Sequence, residues 1–413
     1  MGAHRRACAG GFHPANWEEI MLNNAPCAVR PLAVSLLFCG LLAGAPANAA
    51  PPNAEAELAP FLGEPRFEMQ QVFTGERFPN IVVALDGTLL ATWGNSRVCV
   101  RRSEDGGKTW GEEIEIAKPG FHGGGTTVDE STGDVLLFVE ERHPPAPLTV
   151  YRSSNHGKTW RAEKETVIRP NEAGHIPSMH MNEAGITLRR GEHAGRLVRP
   201  TRYYAGGNNK SEWPNHYTNA MYSDDGGKTW QASEPFPENG TGEAALVELA
   251  SGRIYYNSRV HWEERPKNTR RRAAWSDDGG HTWKDWRVVE VLPDGDQHRS
   301  YGLMGGLTRL PLDDQDILIF SNIDTTTPKR ERITVWGSFD GGETWPVKRL
   351  VYEGPGAYSS LAAGRPGTLS AGCIYLHFEG GPKGGSQVAR FNLSWLLAGE
   401  ATGDGEIPAN LRE

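Results

Sequence analysis

The stretch SDDGGKTW at residues 223–230 decides the fold, because four near-copies of it follow the same pattern. The copies are SEDGGKTW from Ser103, SSNHGKTW from Ser153, SDDGGHTW from Ser276 and SFDGGETW from Ser338. Glycine supplies the positive φ of a tight turn, and aspartate accepts hydrogen bonds from the turn's own amides. The tryptophan can cover apolar surface beside the turn. Five copies cannot all line one site, so we expect a repeated folding device.

The spacing of the copies predicts a β-propeller. They start at residues 103, 153, 223, 276 and 338. Between them lie short apolar or alternating runs bounded by Gly, Asp or Asn, such as GDVLLFVEE and AALVELASGRIYYNS, which are typical of strands. A recurring unit of this size with about four strands is the signature of a propeller blade. We therefore predict an all-β propeller in which the tryptophans of the copies are buried away from a central pocket, at Trp110, Trp160, Trp230, Trp283 and Trp345.

Composition and charge argue against a nucleic-acid-binding surface. The 413 residues include 50 glycines and 13 tryptophans, a balance that favours turns and β-structure. The formal net charge is −8, whereas a nucleic-acid surface needs a basic stripe. The basic run RPKNTRRR at 265–272 follows two glutamates and is interpreted as a solvated loop. No nucleic-acid partner is expected.

An apolar segment near the N-terminus has the features of an export signal. PLAVSLLFCGLLAGA, residues 31–45, follows an arginine and precedes an A-x-A site at Ala47 and Ala49. It is too short and glycine-rich to favour crossing a membrane. We expect a signal peptide at residues 1–49, with Met21 as an alternative start. The mature chain is then secreted or periplasmic and has no membrane span.

Removal of that segment leaves two cysteines, Cys99 and Cys373, both in apolar, strand-like surroundings. Two buried free thiols are favoured over a disulfide, and two thiols do not make a metal site. The GGG at 123–125 lacks the lysine and the strand–helix context of a phosphate loop. The sequence therefore predicts neither a metal nor a cofactor.

The repeated turn is the Asp box, or BNR repeat, and with it the chain resembles the sialidases (exo-α-neuraminidases). RFPNIVVALDGTLLA resembles the family's x-R-I-P segment with Phe for Ile, so that Arg77 matches its arginine. TGEAALVELASGRIYYNSR resembles the stretch that carries the catalytic glutamate and the second arginine, here Glu243 and Arg259. Both motifs occur in the family's order.

The last third of the chain extends the resemblance. In KRERITVWGSFDGGETWPVKRLVYEGPGAYSSLA the third arginine matches Arg330, with Arg332 as the alternative, and the family's tyrosine matches Tyr358. The resemblance implies a six-bladed β-propeller. We place it at residues 67–397, between a linker at 50–66 and a C-terminal tail at 398–413.

The resemblance also implies a mechanism that suits these residue types. Guanidinium groups bind a carboxylate in a planar, charge-assisted way, so Arg77, Arg259 and Arg330 are expected to hold the carboxylate of sialic acid. A carboxylate nucleophile would be repelled by that group, whereas the neutral phenol of Tyr358 would not. The phenol needs a base, and Glu243 is expected to take its proton.

One part of the family's machinery has no match. Sialidases place a general acid/base aspartate between the R-I-P strand and the first Asp box, but TWGNSRVCVRRS at 92–103 has no Asp or Glu. Replacement donors from elsewhere in the chain are His122, Glu140, Glu141, His143, His175 and His180.

Two functions therefore stay open. One is an exported, retaining glycoside hydrolase that releases terminal sialic acid, or a related 2-keto sugar acid, from glycoconjugates. The other is a catalytically lapsed propeller that binds acidic sugars. The three arginines serve both functions, while the pair Tyr358 and Glu243 favours the enzyme.

Overall fold

The computed structural model describes residues 54–179, 182–262, 269–296 and 302–412. These residues belong to one unit, Pro51–Glu413. The expected signal peptide at 1–49 lies outside the described residues, and so does His180.

The N-terminal part of this unit, which precedes the first Asp box in the sequence, contributes side chains to the core. A short α-helix, α1 (Ala54–Leu58), continues into a 3₁₀ helix (Ala59–Phe61) and then into strand β1 (Phe67–Phe73). Leu58 and Phe61 are buried in the largest hydrophobic cluster. The segment placed in a linker at 50–66 therefore includes helical turns that contribute to the core.

Strands dominate the rest of the described chain, and hydrogen bonds join them mostly to their sequence neighbours. The first sheet contains β2 (Pro79–Val83), β3 (Leu89–Trp93), β4 (Val98–Ser103) and β5 (Ile114–Ala117). The second contains β6 (Phe121–His122), β7 (Thr127–Val128), β8 (Val135–Glu140), β9 (Leu148–Ser153) and β10 (Arg161–Ala162).

The third sheet contains β11 (Val167–Arg169), β12 (Ile186–Thr187), β13 (Leu197–Tyr203), β14 (Tyr217–Ser223) and β15 (Thr229–Ala232). Two 3₁₀ helices, Gly191–His193 and Lys210–Asn215, interrupt it. The fourth sheet contains β16 (Thr241–Glu248), β17 (Ile254–Val260), β18 (Arg270–Ser276) and β19 (Lys284–Pro293).

The last sheet has eight strands because one long strand joins two groups. Its members are β20 (Gly306–Arg309), β21 (Leu318–Ile323), β22 (Glu331–Ser338), β23 (Val347–Ala363), β24 (Ile374–Gly380), β25 (Ser386–Phe391), β26 (Glu400–Ala401) and β1. The first part of β23 pairs with β22, and the part from Gly356 onward pairs with β24. Helix α2 (Leu393–Leu397) and a 3₁₀ helix (Ala409–Leu411) follow the last long strands, and Leu411 is buried.

The described strands thus form five hydrogen-bonded sheets, not the six separate ones expected from a six-bladed propeller. The physical reason is the uninterrupted hydrogen bonding along the 17 residues of β23. The packing is nevertheless propeller-like, because the strands β2, β7, β12, β16, β20 and β23 contact one another in a closed ring. The side chains at the start of these strands can therefore meet near one axis.

A buried carboxyl group ties this ring together. Glu183 accepts hydrogen bonds from Ser360 Oγ at 2.9 Å and from the Leu361 amide at 2.8 Å. Asn80 Nδ2 lies 3.3 Å from its other oxygen. Burial raises the pKa of Glu183 to about 8, and this carboxyl group links β2 and β23 near the axis.

Every Asp box starts at the last residue of a strand and forms the turn that leads to the next strand in the chain. In the box that opens with Ser223, the Asp225 carboxylate accepts from the Thr229 amide at 2.8 Å, and Ser223 Oγ accepts from the Gly227 amide at 2.9 Å. Trp230 then packs in the core with no exposed surface. The boxes close turns, as predicted.

The burial prediction for the five box tryptophans holds in three cases. Trp230, Trp283 and Trp345 are buried, whereas Trp110 and Trp160 are half-buried at the edges of their hydrophobic clusters. The prediction of two free thiols is confirmed, although only Cys99 is fully buried and Cys373 is half-buried.

Candidate active site

The three sequence-predicted arginines converge on Tyr358, which lies on the second part of β23 and is buried. The guanidinium carbon of Arg77 lies 5.2 Å from the centre of the Tyr358 ring, and that of Arg330 lies 5.9 Å from it. Arg259 Nη1 is 3.5 Å from the phenolic oxygen. Residues up to about 280 positions apart in the sequence thus surround one tyrosine side chain.

Glu243 is the acidic partner of this hydroxyl. The Tyr358 hydroxyl donates to Glu243 Oε1 at 3.3 Å, and the other carboxylate oxygen forms an ion pair with Arg259. Glu243 has no exposed surface. The register of β16 and β17 shifts between Thr241 and Ala244, and such an irregularity re-aims a side chain out of the regular alternation. A Cβ on Gly242 would lie 2.8 Å from Arg259 Nε, so glycine there leaves room for the guanidinium.

Burial and the nearby arginines shift the pKa values of Glu243 and Tyr358 in opposite directions. Burial raises the pKa of Glu243, and four arginines, led by Arg259, act against it. Burial and the neighbouring Glu243 likewise raise the pKa of Tyr358, while the nearby arginines favour its phenolate form. A carboxylate whose pKa is raised is a better acceptor for the phenolic proton, and the arginines stabilise the charge that develops on oxygen.

Arg77 is held in place by a residue that the sequence analysis missed. Its guanidinium donates to both oxygens of Glu379, at 3.1 and 2.9 Å, and the Phe78 amide donates to the same carboxylate at 3.1 Å. Phe78 has a φ of 75°, which is strained for a bulky side chain. The R-F-P segment is therefore anchored by Glu379, from the end of β24, before Pro79 starts β2.

The side chain of Arg330, and not that of Arg332, points towards Tyr358. Arg330 faces the Tyr358 ring. Arg332, with a φ of 66°, donates to the Asp324 carbonyl at 3.1 Å and lies 3.5 Å from the Glu353 carboxylate. The positive φ turns the Arg332 side chain away from the face that Arg330 uses.

Two further residues of the site, Arg202 and His261, belong to no motif that the sequence shows. Arg202, fully buried on β13, places Nη1 2.9 Å from His261 Nδ1, and the Arg259 guanidinium contacts the same ring nitrogen. His261 therefore lies between two guanidinium groups and orients both. An arginine inside the apolar strand LVRPTRY was the only available signal for Arg202.

The interpretation of the basic run at 265–272 as a solvated loop is wrong for its last residues. Arg270–Arg272 belong to β18, and Arg271 is fully buried, 3.1 Å from Asp294. Asp294 also accepts from the Val260 amide at 2.8 Å, next to Arg259. This buried ion pair supports the strand that presents Arg259. Residues 265–268 of the run lie outside the described residues.

The connection that carries the acid/base aspartate in sialidases is short here. Four residues, Gly94 to Arg97, join β3 to β4. The Glu76 carboxylate accepts hydrogen bonds from the amides of Asn95 and Ser96, at 2.9 and 2.8 Å. Glu76 is thereby used to hold the turn.

The replacement donors considered from sequence differ in position. His122 and Glu140 are buried; His122 Nε2 lies 2.8 Å from Thr92 Oγ1, and Glu140 accepts from the Met179 amide at 3.3 Å. Burial lowers the pKa of His122 to about 3 and raises that of Glu140 to about 8. Glu141 and His143 are exposed, His175 is half-buried, and His180 lies outside the described residues.

The described ranges of the chain hold neither a cluster of metal-binding side chains nor a membrane-spanning helix. Among those residues, no group of three or more His, Cys, Asp or Glu side chains is arranged to hold a metal ion. In the same residues, no helix has the length and apolar character needed to cross a membrane.

A family profile of the BNR repeat-like domain matches residues 87–371, which is more than half of the chain. The chain belongs to the BNR repeat-like domain family. The match includes the five Asp boxes as well as Glu243, Arg259, Arg330 and Tyr358, whereas Arg77 precedes it.

Curated proteins similar to this BNR repeat-like chain are named as sialidases. One from Micromonospora viridifaciens is 31% identical, over 89% of this chain and 60% of the relative. Another from Bacteroides fragilis (strain YCH46) is 28% identical, over 67% of this chain and 55% of the relative. The chain thus spans less than two thirds of the length of these relatives.

A solved structure shows the same fold. The Hadza microbial sialidase Hz136 superposes with a TM-score of 0.60 at 22% identity, over 78% of this chain and 66% of that chain. At this level of identity the similarity is one of fold. It supports an all-β, propeller-like architecture for the BNR repeat-like chain.

Proposed function

We propose that the protein is a retaining glycoside hydrolase that releases terminal sialic acid, or a related 2-keto sugar acid, from glycoconjugates. The observation that carries this proposal is the hydroxyl of Tyr358, which lies 3.3 Å from Glu243 Oε1 and 3.5 Å from Arg259 Nη1. A phenol between a base and a cation is suited to nucleophilic attack.

The arginines explain the choice of substrate. Arg77, Arg259 and Arg330 together can bind a carboxylate in the charge-assisted way that guanidinium groups favour. A sugar with a carboxylate on its anomeric carbon would then place that carbon next to the Tyr358 oxygen. The same charge explains why a neutral phenol would serve as nucleophile instead of an aspartate.

The reaction would proceed in two displacements at the anomeric carbon. In the first, the Tyr358 oxygen attacks that carbon, its proton passes to Glu243, and the bond to the aglycone breaks with its electron pair on the aglycone oxygen, which takes up a proton. In the second, water attacks the same carbon and gives up a proton, the bond to Tyr358 breaks, and Glu243 returns its proton to the tyrosine. Two inversions give net retention.

We propose that the propeller has six blades. Dividing the eight-stranded sheet at Gly356 assigns β20 to β22 and the first part of β23 to one blade. The rest of β23, with β24, β25 and β1, forms another, and the blades then number six.

We also propose that residues 1–49 direct export, so that the enzyme acts outside the cytoplasm.

A lapsed sugar-binding propeller is the second candidate. It is favoured by one observation, the four-residue connection between β3 and β4 that holds no Asp or Glu. Without a proton donor, loss of an alkoxide leaving group would slow by roughly 10²–10⁴-fold.

One experiment tests both candidates. The chain from Ala50 onward is incubated with sialyl-lactose and with an activated aryl sialoside, whose leaving group departs without protonation. Release of sialic acid from either substrate supports the hydrolase. Binding of free sialic acid without release from either one supports the lapsed propeller and contradicts the hydrolase.

A further inference from the structure

His143 lies beside the aromatic part of the candidate site, on the connection between β8 and β9, and is exposed. Its ring packs edge-on against Phe121, with the ring centres 5.4 Å apart. Phe121 contacts Phe78 at 4.9 Å, and Phe78 contacts Tyr358 at 5.7 Å. Two aromatic rings therefore separate an exposed imidazole from the proposed nucleophile.

A second contact ties His143 to the arginine side of the site. Its ring meets that of Tyr204 edge-on at 6.4 Å, and Tyr204 holds the Arg202 guanidinium 4.4 Å from its ring centre. Arg202 shares His261 with Arg259. Three side chains, Tyr204, Arg202 and His261, thus connect the imidazole to Arg259, one of the arginines proposed to bind the sugar carboxylate.

We propose that His143 is the general acid/base of this site, in place of the carboxylate that the connection between β3 and β4 lacks. This inference rests on the proposed hydrolase function and deepens it. It identifies which chain segment supplies the proton when the leaving group is an ordinary sugar hydroxyl.

The hydrogen bonding of the ring determines which nitrogen can exchange a proton. Nδ1 lies 2.9 Å from the Pro144 carbonyl oxygen, which can only accept, so Nδ1 carries a hydrogen. Asn208 Nδ2 lies 3.3 Å from the same nitrogen, and the shorter contact, to the Pro144 carbonyl oxygen, sets the tautomer. Nε2 is then the atom that gains and loses the catalytic proton.

The other donors in the described residues are occupied or shielded. His122 and Glu140 are buried, and Glu76 holds the turn at Asn95. His175 stacks on Tyr203 at 4.0 Å and places Nδ1 2.8 Å from the Tyr217 hydroxyl. Glu141 is exposed and pairs with Arg142, whereas His143 is an exposed titratable group that packs on the site's aromatic rings.

The charges that face His143 suit an acid whose strength changes on binding. Burial of its ring lowers the pKa of His143, as do Arg202 and Arg259, while the Pro144 carbonyl and Glu243 raise it. On its own connection, Glu141 and Arg142 form an exposed ion pair. A bound sugar carboxylate would offset the arginine charges, so the pKa of His143 should rise when substrate binds.

The proton would be used once in each half of the reaction. As the Tyr358 oxygen bonds to the anomeric carbon, the bond to the aglycone oxygen breaks, its electron pair stays on that oxygen, and protonated His143 donates the proton from Nε2. In the second half, neutral Nε2 takes a proton from the water that attacks the anomeric carbon. The products are the free sugar acid and the alcohol, and His143 ends protonated as it began.

The test compares His143→Gln with His175→Gln, a matched control that changes a half-buried histidine between β11 and β12. For sialyl-lactose, kcat/KM of His143→Gln should fall by roughly 10²–10⁴-fold, and the high-pH limb of the wild-type profile should disappear. For an activated aryl sialoside the first step needs no acid, so the loss should be much smaller. His175→Gln should match the wild type, and imidazole should restore part of the activity of His143→Gly.

Each other result overturns the assignment in a recognisable way. An equal loss on both substrates, or no loss, excludes His143 as acid/base while the hydrolase function stands. A wild-type protein that cleaves only the aryl sialoside has no working proton donor, which also excludes His143. A wild-type protein that cleaves neither substrate overturns the proposed function, and this inference with it.

Discussion

The hydroxyl of Tyr358 lies 3.3 Å from Oε1 of Glu243, although 115 residues separate them in the sequence. Both side chains are buried, and the Glu243 carboxylate also pairs with Arg259. The proposed nucleophile, its proposed base and a cation are thus in direct contact.

Removing the hydroxyl alone should separate chemistry from binding. Tyr358→Phe keeps the ring that packs against Phe78 but loses the reacting oxygen. We expect turnover of an aryl sialoside to be lost while affinity for free sialic acid, measured by calorimetry, stays close to that of the wild type. Turnover that survives in Tyr358→Phe would show that another group attacks the sugar.

Arg77 is the most informative arginine to replace, because its side chain is 45% exposed and its loss leaves Glu379 close to water. Arg77→Ala should weaken sialic acid binding by about 1.5–3 kcal/mol, as for a hydrogen bond to a charged group. Arg332→Ala is the control, since Arg332 faces Asp324 and Glu353. If both variants bind sialic acid equally well, the arginine group does not hold the carboxylate.

Replacing Arg259 should act on stability as well as on binding. Its removal would leave the buried Glu243 without its ion-pair partner, and breaking a buried pair in this way costs about 3–5 kcal/mol. We expect a clear fall in the free energy of unfolding of Arg259→Ala, measured in urea. The double variant Arg259→Ala, Glu243→Gln should recover part of the loss, and no recovery would argue against this pairing.

The Asp boxes should affect folding and leave the site unchanged. Trp230→Ala removes a fully buried indole whose Nε1 donates to the Gly227 carbonyl at 2.9 Å, so it should cost about 3–5 kcal/mol of stability. Trp286, which is 42% exposed, provides the control, and Trp286→Ala should cost much less. Sialic acid affinity of folded Trp230→Ala should equal that of the wild type; a specific loss of binding would assign the box a role in the site.

The buried carboxyl groups predict how stability depends on pH. Burial raises the pKa of Glu140 and of Glu183 to about 8, whereas the unfolded groups ionise near 4.5. Their stabilising contribution is complete below the unfolded pKa and is lost as the pH rises towards 8. The buried histidines, whose pKa values are lowered, oppose this only below about 6.5: His122, His216 and His377.

Stability should therefore fall between about pH 6.5 and 8. In Glu140→Gln that fall should be smaller by about 1–2 kcal/mol, measured as the free energy of unfolding in urea at the two pH values. Glu141→Gln, which changes the exposed neighbour, should behave as the wild type does. An equal fall in all three proteins would place the proton uptake elsewhere.

Much of the fold was predictable from local patterns. The Asp box places glycine and aspartate where a tight turn needs them, and the alternating runs between boxes are strands. The number of separate sheets was not predictable, because hydrogen bonding continues through the 17 residues of β23. Gly354, Pro355 and Gly356 are residue types that usually mark a turn, yet β23 continues through them and changes its partner there, so the local pattern does not show how many separate sheets form.

The sequence by itself determined the repeated turn, the strand-rich architecture and, through its resemblance to sialidases, the five residues named for the site. Only the tertiary structure decided that Arg330 and not Arg332 faces Tyr358, and that Glu379, Arg202 and His261 hold the arginines. It also placed His143 against Phe121. Most of these relations join side chains from different sheets, and their distances depend on how the inner strands pack around one axis, which leaves no periodic signal in the chain.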